Sequence, residues 1–212
     1  MTEIAAEHYF PCPVYLVDAP QFVPAVTEVS EAHLTEVRQR GTMDTLYPVC
    51  MSGSYHADPR LKEFCGFIGE SAWAILDQQG YDMSRFHLSF SEMWTQEHHK
   101  QSSMEQHVHG FGAQIVGFYF LEVPENSSRV VFHDPRASKV MIDLPQKDIS
   151  QATVASQMIH FEPRVGMAIF SNSWLPHSFT RNPSDKPIKF VHFNLHAVPA
   201  QQHACPAPAE VV

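Results

Sequence analysis

The chain is poor in the features that would tie it to a membrane, an oxidising compartment or a nucleic-acid partner. Its 212 residues include only four cysteines, Cys12, Cys50, Cys65 and Cys205, widely spaced and without a CxxC pair. Such spacing supports neither a disulfide framework nor a zinc knuckle, and it points to a reducing, cytoplasmic setting. Lysine and arginine total 14 against 23 acidic residues, a formal net charge of −9. A general nucleic-acid surface would normally be basic, so no nucleic-acid partner is expected. No apolar run approaches the roughly 20 residues that span a bilayer. Residues 1–8 carry Glu3 and Glu7 and lack the basic-then-apolar order of a signal peptide. Nucleophilic hydrolysis has no footing either, because no GxSxG elbow or recognisable catalytic cysteine appears. There is no internal repeat.

Histidine, in contrast, is plentiful, with 14 residues. Hydrophobic residues make up 44% and charged residues 17%, enough for one sizeable core. The length fits a single domain with extensions. Residues 9–17 read as an extended lead-in broken by Pro11 and Pro13. Val26, Val29, Leu34 and Val37 form an apolar stripe over 19–40, a helix that Gly41 ends. Asp58-Pro59 starts a clearer helix, whose core face carries Leu61, Phe64, Cys65, Ile68, Ala72, Ile75 and Leu76 as far as Gly80. A loop joins the two helices.

After Ser84 the period changes from helical to β. Strands are expected over 86–94, 113–123, 129–133, 139–142, 157–161, 167–170, 178–181 and 188–197, separated by turn signals such as Asp134-Pro135 and Asn182-Pro183. About eight short strands preceded by two helices predict an antiparallel barrel or jelly roll with helices packed outside. The expected organisation is an N-terminal part at 1–83, a barrel core at 84–197 and a disordered tail at 198–212.

The chemistry-bearing motif is His107-Val108-His109. Side chains two apart share one side of a strand, so both imidazoles face the same way. His177, at the end of Trp174-Leu175-Pro176-His177, also stands at a strand end and can close a three-point metal site. Imidazole suits Fe, Zn, Cu and Ni, whereas Mg and Ca prefer carboxylates.

The ordered series Met93-Trp94, His107-Val108-His109, Gly117-Phe118-Tyr119-Phe120-Leu121, Phe132-His133-Asp134-Pro135-Arg136, Gly166 through Phe170, Trp174 through His177 and Phe193-Asn194 resembles the 2-oxoglutarate/Fe(II) oxygenases. The similar branch is the prolyl-hydroxylase-related one with an HxH motif, and the resemblance covers residues 86–195. It implies a double-stranded β-helix, Fe(II), 2-oxoglutarate and O₂, and hydroxylation of an organic substrate with release of succinate and CO₂. Carried over to this sequence, His107, His109 and His177 hold the metal.

Two positions depart from that pattern. The family's triad is usually two histidines and a carboxylate, yet His109 stands where the carboxylate would be. Either His109 completes the site or a carboxylate elsewhere, Asp134 first, replaces it. The family also clamps the distal carboxylate of 2-oxoglutarate with a basic residue, and the aligned position is Ile188. Arg181, Lys189 and Arg136 are the candidate replacements, with Tyr119 a further candidate contact. Trp94, Tyr119 and Phe170 are candidate pocket liners whose plainer reading is core packing.

Two other functions stay open from the sequence. One is a cupin-type metalloenzyme that does not use 2-oxoglutarate, for which Pro163-Arg164-Val165-Gly166 is a compatible turn. The other is a non-catalytic jelly roll that binds a metabolite. The expected partner is a small-molecule or peptidyl substrate, without a membrane, and a barrel edge could pair two subunits into a homodimer.

Overall fold

Residues that alternate inward and outward build ten strands among the described residues, and two amphipathic segments build the helices. The computed structural model describes residues 5–7, 9–41, 43–110 and 112–200. In chain order these are β1 (Val14–Asp18), α1 (Val23–Arg40), β2 (Val49–Met51), α2 (Lys62–Gln78), β3 (Phe86–His98), β4 (Met104–His107), β5 (Ile115–Glu122), β6 (Val130–His133), β7 (Met158–Phe161), β8 (Met167–Asn172), β9 (His177–Phe179) and β10 (Ile188–Pro199).

The strands form two antiparallel sheets. The larger runs β1-β8-β5-β10-β3-β2 and the smaller β4-β9-β6-β7. This is the mainly-β jelly roll with outer helices that the pattern predicts. The helices cover one face of the large sheet, where Phe64, Ile68, Ala72 and Val29 meet Tyr119, Phe170, Val191 and Phe193. The opposite face meets the small sheet over Phe118, Phe120, Phe132, Ile169, Phe179, Ile188 and Phe190. Gly117 permits the tight packing on the helix side. A side chain there would collide with the Phe193 ring and the Ile169 carbonyl, so only glycine fits.

The first 83 residues supply more than helices, because β1 pairs with β8 and β2 extends the sheet beyond β3. A short strand, β2, lies where a loop reading stood, and β4 ends at His107, so His109 falls just past the strand on which the HxH reading placed both histidines. The strand expected at 139–142 is instead a 3-10 turn, Ala137–Met141. There the Lys139 N–H returns to the Arg136 carbonyl and its Nζ to Asp134, and Val140, Met141 and Ile142 stay exposed without a partner strand. Of the expected tail, Val198 and Pro199 complete β10, and 201–212, with Cys205, lies outside the described residues. No described helix is long and apolar enough to cross a membrane.

Candidate metal centre

Two short strands of the small sheet bring the HxH motif to its distant partner. His107, the last residue of β4, is the direct cross-strand neighbour of His177, the first of β9. His109 lies just past β4, fixed by its N–H donating to the Ser173 carbonyl at 3.0 Å. One ring nitrogen from each of the three histidines falls within 4.8 Å of the others. A metal about 2.1 Å from each donor would hold them about 3 to 4 Å apart, so a slight inward movement of the rings seats one.

The tautomers favour ligation. His107 Nδ1 lies 2.8 Å from the Glu105 carbonyl and His177 Nδ1 lies 3.1 Å from the Leu175 carbonyl. A carbonyl only accepts, so each Nδ1 carries the proton and each Nε2 keeps a free lone pair. The His177 Nε2 is buried and has no hydrogen-bond partner among the described residues, which is costly unless a ligand satisfies it. Burial, with repulsion from His107 added, pushes the His177 pKa down to about 3 and that of His109 down to about 4. Both rings are therefore neutral near pH 7, as metal binding requires. The donor set thus fits a borderline metal such as iron.

A fourth imidazole stands beside the three. His192 on β10 is fully buried and faces the same space, with its Nε2 3.2 Å from His109 Nε2. Its ring packs on Trp94 (centroids 4.4 Å apart) and Phe118 (4.8 Å). Sequence reasoning missed it, although period-two alternation along Ile188, Phe190, His192 and Asn194 puts a histidine on the inner face. Burial holds its pKa well below the ordinary value, and the three nearby histidines add to that.

The other candidates lie elsewhere. Asp134 is tied to Arg136 at 2.7 Å and Lys139 at 2.8 Å, and Arg136 is the main cause of its strongly lowered pKa. It is not among the grouped metal-binding side chains, which contain no carboxylate. Arg136 is thereby spent on Asp134 at the surface. Arg181 is exposed and reaches Gln101. Lys189 points to the helix side, to Glu31 at 2.6 Å and Glu122 at 2.8 Å. Tyr119 also faces the helices and donates its hydroxyl to the Ala19 carbonyl at 2.7 Å. Phe170 packs on Phe193 in that same layer, leaving Trp94 as the pocket liner. Of the 14 lysines and arginines, twelve are exposed, and the other two, Lys139 and Lys189, are ion-paired to carboxylates outside the barrel.

No curated protein matches the chain in sequence. In fold it is similar to a Pseudomonas putida prolyl-4-hydroxylase, at 9% identity over 87% of this chain and 93% of that one, TM-score 0.60. It is also similar to AviO1 from Streptomyces viridochromogenes Tue57, at 12% identity over 93% of each chain, TM-score 0.59. A third similar structure is HygX from Streptomyces hygroscopicus with nickel and 2-oxoglutarate bound, at 11% identity over 87% of this chain and 83% of that one, TM-score 0.56. The family described as "Putative 2OG-Fe(II) oxygenase" matches residues 92–194, a span that contains all four clustered histidines. Over residues 92–194, just under half of the chain, the sequence is thus similar to the 2-oxoglutarate/Fe(II) oxygenases, oxidoreductases whose cofactors are Fe(II) and 2-oxoglutarate, and the fold is shared with a prolyl-4-hydroxylase.

Proposed function

We propose that this chain is a dioxygenase that hydroxylates an organic substrate, small-molecule or peptidyl, with His107, His109 and His177 as its iron ligands. The observation that carries the assignment is the buried, unpartnered Nε2 of His177, aimed into a group of three imidazoles. Ferrous iron and 2-oxoglutarate bound there supply oxidation by O₂, one oxygen atom going to the substrate C–H bond and the other to succinate, with loss of CO₂.

The protein's own part is geometric. The carbonyls of Glu105 and Leu175 hold His107 and His177 in the ligating tautomer. Phe118, Phe132 and Leu175 pack around His177 and keep water from the site. Trp94 against His192, and Asn194 with Glu92 beside it, are further inward side chains of the large sheet, and they form the surface offered to substrate. Free thiols at Cys12, Cys50 and Cys65 support a reducing, cytoplasmic setting.

Anaerobic visible absorption tests the assignment. A weak band should appear only when both Fe(II) and 2-oxoglutarate are added to the wild type. His177→Ala should retain its fold and lose both the band and stoichiometric iron. Iron binding without the band would instead support cupin-like metal chemistry, which the three-histidine donor set also suits. Iron retained by His177→Ala would end the ligand assignment.

A further inference from the structure

2-Oxoglutarate carries a second carboxylate, and a carboxylate in an apolar interior needs a partner. No lysine or arginine enters this barrel. Among the described residues, one buried titratable side chain does face its interior beyond the imidazole cluster. His98 on β3 is the direct cross-strand partner of Ile188, the position where a basic residue was expected. Its side chain is completely buried, with ring centroids 5.0 Å from Phe190 and 5.4 Å from Phe179. Its Nε2 is 2.8 Å from Gln96 Oε1, and its Nδ1 has no partner among the described residues.

His98 is within reach of the metal group. It touches Phe179, which stands two residues beyond His177 on the same face of β9. Two strand residues span about 6.6 Å. A five-carbon chain has four carbon–carbon bonds of about 1.5 Å, which is a similar length.

We propose that His98, backed by Gln96, receives the distal carboxylate of 2-oxoglutarate in place of the absent lysine or arginine. This rests on the iron-site reading above and adds a residue to it. As the dianion binds, His98 takes one proton from solvent. Nε2–H then stays on Gln96, and Nδ1–H donates to the carboxylate as a charge-assisted bond. The groups facing the ring are otherwise uncharged: Phe179 from β9, Ile188 and Phe190 from β10, and Gln96 from its own strand, with Asn182 bonded to the His98 carbonyl. The neighbouring His99 points outward to Glu97. Burial keeps His98 neutral in the empty protein, its pKa lowered to about 4, with His99 a smaller cause. An arriving anion removes that reason for neutrality.

The test compares binding of 2-oxoglutarate and of 2-oxopentanoate, which has a methyl group where 2-oxoglutarate has its distal carboxylate. Titration into the Ni(II)-loaded protein reads affinity without turnover. The expected result is at least a tenfold preference for 2-oxoglutarate at pH 6, shrinking as pH rises to 8. In His98→Phe the preference should vanish while nickel stoichiometry and 2-oxopentanoate affinity hold. Equal binding of the two acids by the wild type would overturn the proposal, and so would a preference that survives in His98→Phe. The wild-type comparison decides even if that variant does not fold. If the wild type binds nickel but neither acid, the 2-oxoglutarate reading falls together with the proposal. A strong preference that His98→Phe retains sinks the proposal alone.

Discussion

The two faces of the β3–β10 pair carry opposite chemistry, although the residues that build them are neighbours in sequence. On the helix side, Lys189 and Glu97 meet Glu31 and Arg38 of α1 and Glu122 of β5 in a linked set of ion pairs. On the barrel side, one residue away in each case, stand Phe190 and His98. Side chains alternate across a strand, so a one-residue step moves a group from a charged layer to a neutral one. Formal charge sits where α1 supplies counter-charge. The buried titratable groups on the inner face are imidazoles, which burial holds neutral, while Glu92 farther along β3 is exposed. Neutral imidazole is also the form that can bind metal.

The largest way to break this contrast is to remove the charge at the centre of the outer layer. Glu97 is almost fully buried. Burial alone would raise its pKa, but Arg38, His99 and Lys189 outweigh that and lower it. Glu97→Ala leaves the buried part of this network without its acceptor. Losing one partner of a buried pair costs about 3 to 5 kcal/mol, and the partial exposure of Arg38 puts the expected loss at about 3. Urea denaturation should show a lower midpoint with little change in metal affinity. A loss of metal affinity larger than the loss of stability would show that the two faces are coupled.

A second break comes from acid. His98 has a folded-state pKa of about 4, below the roughly 6.5 of an unfolded histidine. The unfolded chain therefore binds more protons, and stability falls as pH drops from about 7 toward 4. The difference amounts to about 3 kcal/mol when the window is fully crossed. His98→Phe should remove that share of the slope, so its unfolding midpoint changes less between pH 7 and pH 4.5 than the wild type's. An unchanged slope would mean that the acid sensitivity comes from the other buried histidines.

The sequence shows this contrast only in part, for physical reasons. The grouping of His107, His109 and His177 was legible because the HxH spacing is a local property, although of that pair only His107 lies on a strand, where β4 and β9 put it in register with His177. The long apolar runs of β5, β8 and β10 were legible as well, since strands buried on both faces need them. The fate of Lys189 was half legible. Alternation puts it opposite Ile188, but no local feature shows that Glu31, more than 150 residues away, awaits it. β4 is four residues long and largely polar, so nothing within it argues for a strand. It exists because β9 gives it a partner. The 139–142 segment fails for the converse reason: its β-branched residues have no strand to pair with.

His192 offers the smallest and sharpest test. Its Nε2 lies 3.2 Å from His109 Nε2, so one of these nitrogens must carry a proton and the other accept it. If His109 donates, its Nδ1 is left to face the metal, the reverse of the Nε2 that His107 and His177 present. Partners of this kind typically contribute 10- to 100-fold to metal affinity. His192→Phe fills a space already lined by Trp94 and Phe118, so the fold should hold. Nickel affinity should drop by about tenfold, which corresponds to roughly 1.4 kcal/mol. His109→Asp separates the possible roles. A carboxylate at 109 binds metal without needing an orienting proton acceptor, so His192→Phe made on that background should cost much less than it does alone. An equal cost in both backgrounds would mean that His192 meets the metal itself, and the inner face would then present four imidazole ligands in place of three.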